Sequence, residues 1–169
     1  MYWSNLEDKK IGIWGMGREG KAAKEALKRH VQHFTFFEIS EENLRELLKC
    51  DVVIKSPGVS LYRNEVQEAL QKGVQFTSGT NLYFSNKCKN TSTIAITGTK
   101  GKSTTSSLLA HTLKILGKKT ELGGNIGRSL LDFVDAENDY TVAELSSYQC
   151  ADFVGTPEIG VLMALYSAH

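Results

Sequence analysis

The segment IAITGTKGKSTT combines an apolar run with glycines, lysines and hydroxyl side chains. Gly98 and Gly101 can form a tight turn that points successive backbone N–H groups inward at an anion. Lys102 would then reach the terminal phosphates of a nucleotide, and the hydroxyl of Ser103 or Thr104 would complete the coordination of a bridging Mg²⁺. The pattern therefore predicts a phosphate-binding loop between a strand and a helix.

The context of this loop supports the interpretation, although one position departs from the general phosphate-loop pattern. That pattern has a glycine where this chain has Ile96, so only the tail GTKGKST fits. A glycine-rich turn that binds nothing is the alternative. After the loop, leucines at helical spacing run to Gly117, a residue type that commonly ends helices. The predicted site thus lies at a helix N-terminus, where the helix dipole favours phosphate. These leucines are Leu108, Leu109, Leu113 and Leu116.

Alternating strand-like and helix-like segments predict an α/β fold with mostly parallel sheets. In the first half, KIGIW, HFTFFE, DVVIKS and VQFTS are typical of strands, and SEENLRELLK is typical of a helix that begins at Ser40. The polar run SNKCKNTS then precedes TIAIT, and we place a domain boundary near Asn90. We expect a Rossmann-like domain over residues 1–90, followed over residues 91–169 by the first part of a P-loop-type α/β ATPase domain.

A second glycine-rich turn follows the first predicted strand. Gly15, Gly17 and Gly20 form a Gly-x-Gly-x-x-Gly pattern, and Glu38 lies about 20 residues further on, as in dinucleotide-binding domains. An NAD-dependent oxidoreductase is therefore one hypothesis, but it leaves GTKGKSTT unexplained. The same backbone geometry holds other nucleotide diphosphates. The turn KSPGVS, after another strand, would contact a bulky ligand at the same sheet edge.

A carboxylate is predicted at the end of a later strand. YTVAE is typical of a buried strand that ends in Glu144, and the polar run SSYQ follows it. Because open α/β sheets bind ligands at the carboxyl ends of their strands, we expect Glu144 to approach a metal or phosphate site. The alternative is a strand-end carboxylate that only faces water.

Composition limits the classes of function. The chain has 169 residues, 41% of them hydrophobic, which is enough for one large or two small cores. Its 20 basic and 19 acidic residues leave no broad field for nucleic acid or an anionic membrane, and we interpret Lys87 and Lys89 as solvated loop charges. No signal peptide or membrane span is predicted. Three dispersed cysteines favour reduced thiols in a cytoplasm, and we expect a monomer.

The motifs GMGREG, KSPGVS, GTKGKSTT, GGNIG and ELSSYQ, in this order and spacing, resemble the Mur ligase family, and the last two resemble its glutamate-adding branch. The resemblance covers nearly the whole chain. It implies ATP-dependent ligation of glutamate to UDP-N-acetylmuramoyl-L-alanine through an acyl-phosphate, in peptidoglycan precursor synthesis. D-Glutamate is the default. The segment SGTNL and Lys100 are similar to features of L-glutamate-adding ligases, so that alternative stays open.

The resemblance also implies roles for individual residues. The catalytic residues would be Lys102, Glu144 and His169, and the ligands of Mg²⁺ would be Ser103, Glu144 and His169. ATP would be bound by Gly98, Thr99, Lys100, Gly101, Lys102, Ser103 and Thr104. The UDP-substrate would be bound by Gly15, Met16, Gly17, Glu38, Ser56, Pro57, Gly58 and Asn125.

Members of this family extend through the rest of the ATPase domain and then through a C-terminal domain that binds glutamate. The resemblance therefore implies that this chain is a fragment, and that it does not ligate by itself. A nucleotide-binding module without catalysis is the corresponding description of the 169 residues alone.

Overall fold

A computed structural model describes residues 1–166 and contains two compact units, which divide between Asn86 and Lys87. Each unit is a parallel four-stranded sheet with helices in its connections. The predicted α/β class is confirmed. No helix within residues 1–166 is long and apolar enough to cross a membrane.

The sheet of the first unit has the order β2-β1-β3-β4, with every pair parallel. This is a doubly wound order with its switch point between β1 and β3, and ligands bind at the carboxyl side of such points. The strands are β1 Lys9–Trp14, β2 Phe34–Ile39, β3 Val52–Lys55 and β4 Gln75–Ser78. The helices are α1 Arg18–His30, α2 Asn64–Gln71 and α3 Gly79–Asn86.

The core of the first unit lies between this sheet and its connections. Trp14, Ile39, Val53 and Val66 are buried in one apolar cluster. All four residues of β3 are buried, as expected for a central strand of a parallel sheet covered on both faces. The core therefore fixes the carboxyl ends of β1 and β3 side by side.

The segment predicted as a helix from Ser40 forms only a 3-10 helix, Leu44–Lys49. The side-chain oxygen of Asn43 accepts from the backbone N–H of Ser40 at 2.7 Å, and its amide donates to the carbonyl of Glu38 at 2.8 Å. Such local side-chain bonds compete with helical hydrogen bonds. The predicted start of the helix was therefore wrong, since a turn occupies residues 40–43.

The sheet of the second unit has the order β6-β7-β5-β8, again with every pair parallel. β5 is therefore central, and the connection after it leads into the longest helix of the unit. The strands are β5 Ser92–Thr97, β6 Thr120–Gly124, β7 Tyr140–Glu144 and β8 Ile159–Leu162. The helices are α4 Lys102–Ile115 and α5 Ser147–Ala151.

Helix α4 uses only part of its leucine pattern for packing. Leu109 and Leu113 pack against the core of the second unit, whereas Leu108 and Leu116 are 63% and 67% exposed. The helix ends just before Gly117, whose φ of +76° is the left-handed conformation typical of a C-terminal glycine.

The interpretation of Lys87 as a solvated loop charge was wrong. Its side chain is only 10% exposed, and its ammonium lies 2.9 Å from a carboxylate oxygen of Glu158. The other carboxylate oxygen of Glu158 accepts from the backbone N–H of Thr93 at 2.7 Å. This ion pair therefore ties the segments that precede β5 and β8 together.

Candidate nucleotide-binding sites

The loop between β5 and α4 requires both of its glycines. Gly98 and Gly101 have φ values of +141° and +81°, a region that side chains disfavour. A Cβ on Gly98 would lie 2.8 Å from the Cβ of Met163. Backbone conformation and the close approach of the segment after β8 thus explain why glycine occupies this position.

Lys102 is the first residue of α4, and its side chain folds back over the loop. Its ammonium donates to the carbonyl oxygens of Gly98 at 2.6 Å and Thr99 at 3.2 Å. Bonds between an ammonium and a phosphate are stronger than bonds to neutral carbonyls. Lys102 can therefore exchange its loop partners for a nucleotide phosphate at the same place.

The start of α4 is suited to an anion. Gly101 is the N-cap residue and has no side chain with which to cap the first N–H groups of the helix. No acidic residue lies in the first turn. Ser103, Thr104 and Lys100 are exposed around this turn. The backbone donors, the helix dipole and Lys102 all favour negative charge here.

Glu144 ends β7 and is the most unusual carboxylate of the second unit, since it is only 1% exposed. Its Oε1 accepts from the Asn125 side-chain amide at 2.7 Å. Its Oε2 is buried and has no hydrogen-bond partner among the described residues. A buried charged oxygen without a partner costs free energy, so this atom fits a cation ligand.

The backbone holds Asn125 beside Glu144. The N–H of Asn125 donates to the Glu144 carbonyl at 2.8 Å, directly after β6. Gly124 precedes it with a φ of +102°, and a Cβ there would collide with that same carbonyl oxygen. Gly124 therefore allows β6 to end against β7 closely enough for the Asn125 amide to reach the carboxylate.

The cleft at this edge of the second sheet has a volume of about 770 Å³ and brings three of the sequence motifs together. Lys102 comes from GTKGKST, Asn125 from GGNIG, and Ser146 from ELSSYQ. Ser146 caps α5, since its hydroxyl accepts from the N–H of Gln149 at 3.2 Å. Cys150 also lines the cleft, with its thiol 3.5 Å from the Thr97 hydroxyl.

The oxygen atoms at this cleft fit Mg²⁺ better than a metal that prefers nitrogen or sulfur. Mg²⁺ is usually bound through one or two carboxylates together with waters and substrate phosphates. Within residues 1–166, no group of three or more His, Cys, Asp or Glu side chains could hold a metal ion. Of the predicted Mg²⁺ ligands, Glu144 has a buried oxygen without a hydrogen-bond partner among the described residues, and Ser103 lies in the first turn of α4. His169, the third predicted ligand, lies outside the described residues.

The turn after β1 forms the second candidate site. Gly15 has a φ of +91°, and the Ser56 hydroxyl donates to its carbonyl at 3.2 Å. A Cβ on Gly20 would overlap that carbonyl oxygen, so Gly20 is required where α1 packs against the turn. At Gly17 and Gly58 a Cβ would meet no atom within 4 Å. The turn is thus tight on its inner side and open on its outer side.

The predicted residues of the first unit lie at one sheet edge. The N–H of Ser56 donates to the carbonyl of Trp14 at 2.9 Å, which brings the turns after β1 and β3 together. Met16 and Pro57 are half-buried in these turns, and Glu38 is exposed near the end of the neighbouring β2. Asn125, by contrast, belongs to the second unit and lies in the cleft beside Glu144.

The sequence does not indicate the cluster of side chains around Arg63 at this sheet edge. The guanidinium of Arg63 lies over the ring of Trp14, 4.9 Å from its centroid. It donates to both carboxylate oxygens of Glu41, at 2.9 and 2.8 Å. Hydrogen bonds from Arg63 lower the pKa of the Glu41 carboxyl and of the Glu65 carboxyl. No periodicity or motif joins residues this far apart, so the sequence carries no signal for the group.

The chain is similar in sequence to proteins of known family. Residues 96–169 match the Mur ligase middle domain. The UDP-N-acetylmuramoyl-L-alanine–L-glutamate ligase of Xanthomonas oryzae pv. oryzae is 38% identical over 98% of this chain and 42% of its own length. The ligase of the same name from a Micromonospora species is 36% identical over 100% of this chain and 41% of its own length.

A solved structure shows the same fold over most of the chain. The UDP-N-acetylmuramate:L-alanyl-gamma-D-glutamyl-meso-diaminopimelate ligase from Neisseria meningitides covers 96% of this chain, with a TM-score of 0.55 and 21% identity. The chain spans 62% of that structure and 42% of the Xanthomonas oryzae relative. Residues 96–169 thus match the Mur ligase middle domain, and the chain is similar to glutamate-adding Mur ligases along nearly its whole length.

Proposed function

We propose that this chain provides the two nucleotide sites of an ATP-dependent ligase that joins glutamate to UDP-N-acetylmuramoyl-L-alanine in peptidoglycan precursor synthesis. The observation that carries the proposal is the cleft in which the phosphate loop meets Asn125 and the strand that ends in Glu144. The names of the relatives supply the substrate class. This chain spans 42% of the length of the first relative. The proposal therefore concerns only the part that these 169 residues play in the reaction.

The proposed reaction has two steps. The carboxylate of the UDP-sugar attacks the γ-phosphorus of ATP, the bond to the β-phosphate oxygen breaks, and an acyl-phosphate and ADP form. The amino group of glutamate then attacks the acyl carbon, phosphate leaves with the bonding electron pair, and an amide forms after loss of a proton. Neither step requires a nucleophile from the protein, so positioning and charge neutralisation carry the catalysis.

The residues of the second unit would provide that neutralisation. Lys102 would leave the carbonyls of Gly98 and Thr99 and bind the β- and γ-phosphates, where negative charge accumulates. Bound Mg²⁺ would supply further positive charge to neutralise the phosphates. Glu144 and Ser103 would hold that ion through oxygen atoms, and Asn125 would keep the Glu144 carboxylate turned so that Oε2 remains available.

The first unit would bind the UDP part of the substrate. The diphosphate would lie on the turn Gly15–Gly17 and contact Ser56, Pro57 and Gly58, with Glu38 towards the uridine. The open outer side of Gly17 supports this placement, since a backbone without a side chain allows close approach of a diphosphate. An NAD site would use the same geometry, so the two ligands must be distinguished by measurement.

We favour L-glutamate over the default D-glutamate as the incoming amino acid. The support is that relatives 34–38% identical to this chain are named as L-glutamate ligases. The test is amide formation by the native protein with each enantiomer. Product from L-glutamate alone supports the assignment, and product from D-glutamate alone contradicts it.

We also propose a monomer in the cytoplasm. Cys50, Cys88 and Cys150 are free thiols, which suits a reducing compartment. The residues proposed for each site are all present in this one chain. Sedimentation of the purified chain at several concentrations measures the oligomeric state.

The experiment that tests the function is calorimetric titration of the chain with UDP-N-acetylmuramoyl-L-alanine, NADH and ATP with Mg²⁺. Saturable binding of the UDP-sugar and of ATP, without binding of NADH, supports the ligase assignment. Binding of NADH without the UDP-sugar would overturn it and assign Gly15, Gly17, Gly20 and Glu38 to a dehydrogenase.

A further inference from the structure

Arg63 connects the segment between β3 and α2 with the ends of β1 and β2 beside the glycine turn of the first unit. It lies at the N-cap of α2, at the end of the segment that follows β3. Its guanidinium contacts Trp14, the last residue of β1, and Glu41, two residues beyond the end of β2. The two partners thus lie at the ends of two neighbouring strands of the same sheet.

The geometry of these contacts is specific to arginine. Two parallel N–H donors bind the two oxygens of Glu41, at 2.9 and 2.8 Å, an arrangement that a lysine cannot reproduce. Glu65 accepts from the same guanidinium at 3.4 Å. The flat face of the guanidinium lies on Trp14, which is 2% exposed and belongs to the core cluster. The side chain of Arg63 is 31% exposed, so the group is anchored on the core side and open on the other.

The loops that Arg63 joins are the loops that carry the candidate binding residues. The turn from Ser40 to Asn43 follows directly after the strand end that contains Glu38, and Asn43 is bonded to the Glu38 carbonyl. The segment that ends in Arg63 begins with Ser56, Pro57 and Gly58. Ser56 is bonded to the carbonyls of Trp14 and Gly15. A change in the distance between these loops would change the width of the site.

We propose that Arg63 is a positioning residue of the nucleotide diphosphate-sugar site, which holds the loops after β2 and β3 at a fixed separation around the glycine turn. The inference rests on the proposed function of the first unit and adds a determinant of its affinity. Residues that support a ligand-holding group contribute to binding because they maintain the geometry of that group.

The test measures binding of UDP-N-acetylmuramoyl-L-alanine and of ATP with Mg²⁺ to the chain and to its Arg63→Met and Glu41→Gln variants. We expect each variant to weaken binding of the UDP-sugar about tenfold, the lower end of the range for residues that support a ligand-holding group in metal sites. Binding of ATP should stay unchanged. Lys72→Met removes another exposed ion pair of the same unit, 2.7 Å from Glu68, and should change neither affinity.

A charge-swapped double variant, Glu41→Arg with Arg63→Glu, separates positioning from direct contact. Restoration of most of the affinity for the UDP-sugar supports a bridge between the loops. If the double variant does not recover affinity for the UDP-sugar, the positioning role is overturned, because Arg63 would then bind the ligand directly. Thermal unfolding of every variant, including Lys72→Met, is measured in parallel. If the loss of affinity for the UDP-sugar is proportional to the loss of stability across all the variants, the positioning role is overturned.

Two results distinguish this inference from the proposed function. Wild-type chain that binds the UDP-sugar, with an Arg63→Met variant that binds it equally well, would overturn the inference and leave the function intact. Wild-type chain that does not bind the UDP-sugar would overturn both.

Discussion

We expect the proposed ATP site of the second unit to depend most on Lys102. Its ammonium is held by two loop carbonyls, so the chain loses little when these partners are exchanged for phosphates. We predict that Lys102→Met weakens ATP binding about 10- to 100-fold, because a hydrogen bond to a charged group contributes about 1.5–3 kcal/mol. Calorimetry measures the affinity. Lys114→Met in the last turn of α4 is the matched control, and an equal loss there would contradict a specific phosphate contact.

Asn125 tests the assignment of Glu144 as a cation ligand. Asn125→Ala removes the amide that fixes Oε1 at 2.7 Å, so the carboxylate can rotate and no longer holds Oε2 in one place. We predict that the Mg²⁺ concentration needed for tight ATP binding rises about tenfold, as for other residues that orient a metal ligand. Titration of Mg²⁺ at fixed ATP measures this. An unchanged requirement would exclude Asn125 as the orienting residue.

At the residue scale, the sequence identified groups whose chemistry is local and missed those that depend on strand pairing. Lys102 could be predicted because it lies next to the glycine turn and the hydroxyls that define a phosphate loop. The hydrogen bond between Asn125 and Glu144 could not be predicted from the sequence, because it requires β6 and β7 to be neighbours. Arg63 and Glu41 meet for the same reason, across a sheet whose strand order the sequence does not contain.

At the scale of elements, the phosphate loop depends on its packing against the segment after β8. We predict that Gly98→Ala destabilises the second unit more than Gly117→Ala does, although both residues have positive φ. Gly117 has no atom within 4 Å of an added Cβ, so only the backbone cost of about 1 kcal/mol applies. At Gly98 the contact with Met163 adds an overpacking cost of about 1–3 kcal/mol. Urea unfolding compares the two, and equal losses would show that the contact relaxes freely.

The ion pair of Glu158 gives the second unit a pH-dependent component of stability. Burial raises the pKa of this carboxyl, but hydrogen bonds from Lys87 and Thr93 outweigh it, so the pKa lies below its ordinary value of 4.5. A lowered carboxyl pKa stabilises the fold above 4.5, and this contribution is lost as the pH falls below that value. We predict that Glu158→Gln lowers the free energy of unfolding by at most about 1 kcal/mol at pH 7, because the carboxylate is half exposed.

Comparison of urea unfolding at pH 7 and pH 3 checks this prediction. The difference between wild type and Glu158→Gln should shrink as the carboxyl is protonated. Glu25→Gln is the control, since the ion pair of Glu25 with Lys28 lies within one helix, α1, and does not join separate segments. A difference for Glu158→Gln that persists at pH 3 would assign the effect to packing instead of charge.

The elements themselves were predictable where apolar runs are bounded by turn residues. Strand β3 and strand β7 are short, buried and followed by polar residues, so their positions followed from the pattern. The start of the helix predicted at Ser40 did not follow from the pattern, because the Asn43 side chain forms hydrogen bonds with nearby backbone groups and stabilises a turn. The pattern in α4 overestimated its buried face, since Leu108 and Leu116 remain exposed.

For the whole molecule, the polar run predicted a domain boundary near Asn90, and the two compact units of the structure divide between Asn86 and Lys87. The polar run extends from Ser85 to Ser92, and composition alone does not say where along it the contacts change. The division falls after Asn86 because α3 continues to that residue and its side chain is bonded into the first unit. Its amide donates to the carbonyls of Met1 and Leu82, at 3.2 and 2.7 Å.

Two compact units with separate sites should respond separately to their ligands. We predict that the UDP-sugar stabilises the first unit and ATP with Mg²⁺ the second, each by about 2.7 kcal/mol at a ligand concentration 100 times its Kd. For a unit of 60–100 residues, each kcal/mol shifts Tm by about 4–8 °C. Hydrogen exchange resolved by peptide measures which backbone amides gain protection. Protection of β1 and β3 by the UDP-sugar and of β5 and α4 by ATP would support two sites, and the same pattern for both ligands would contradict them.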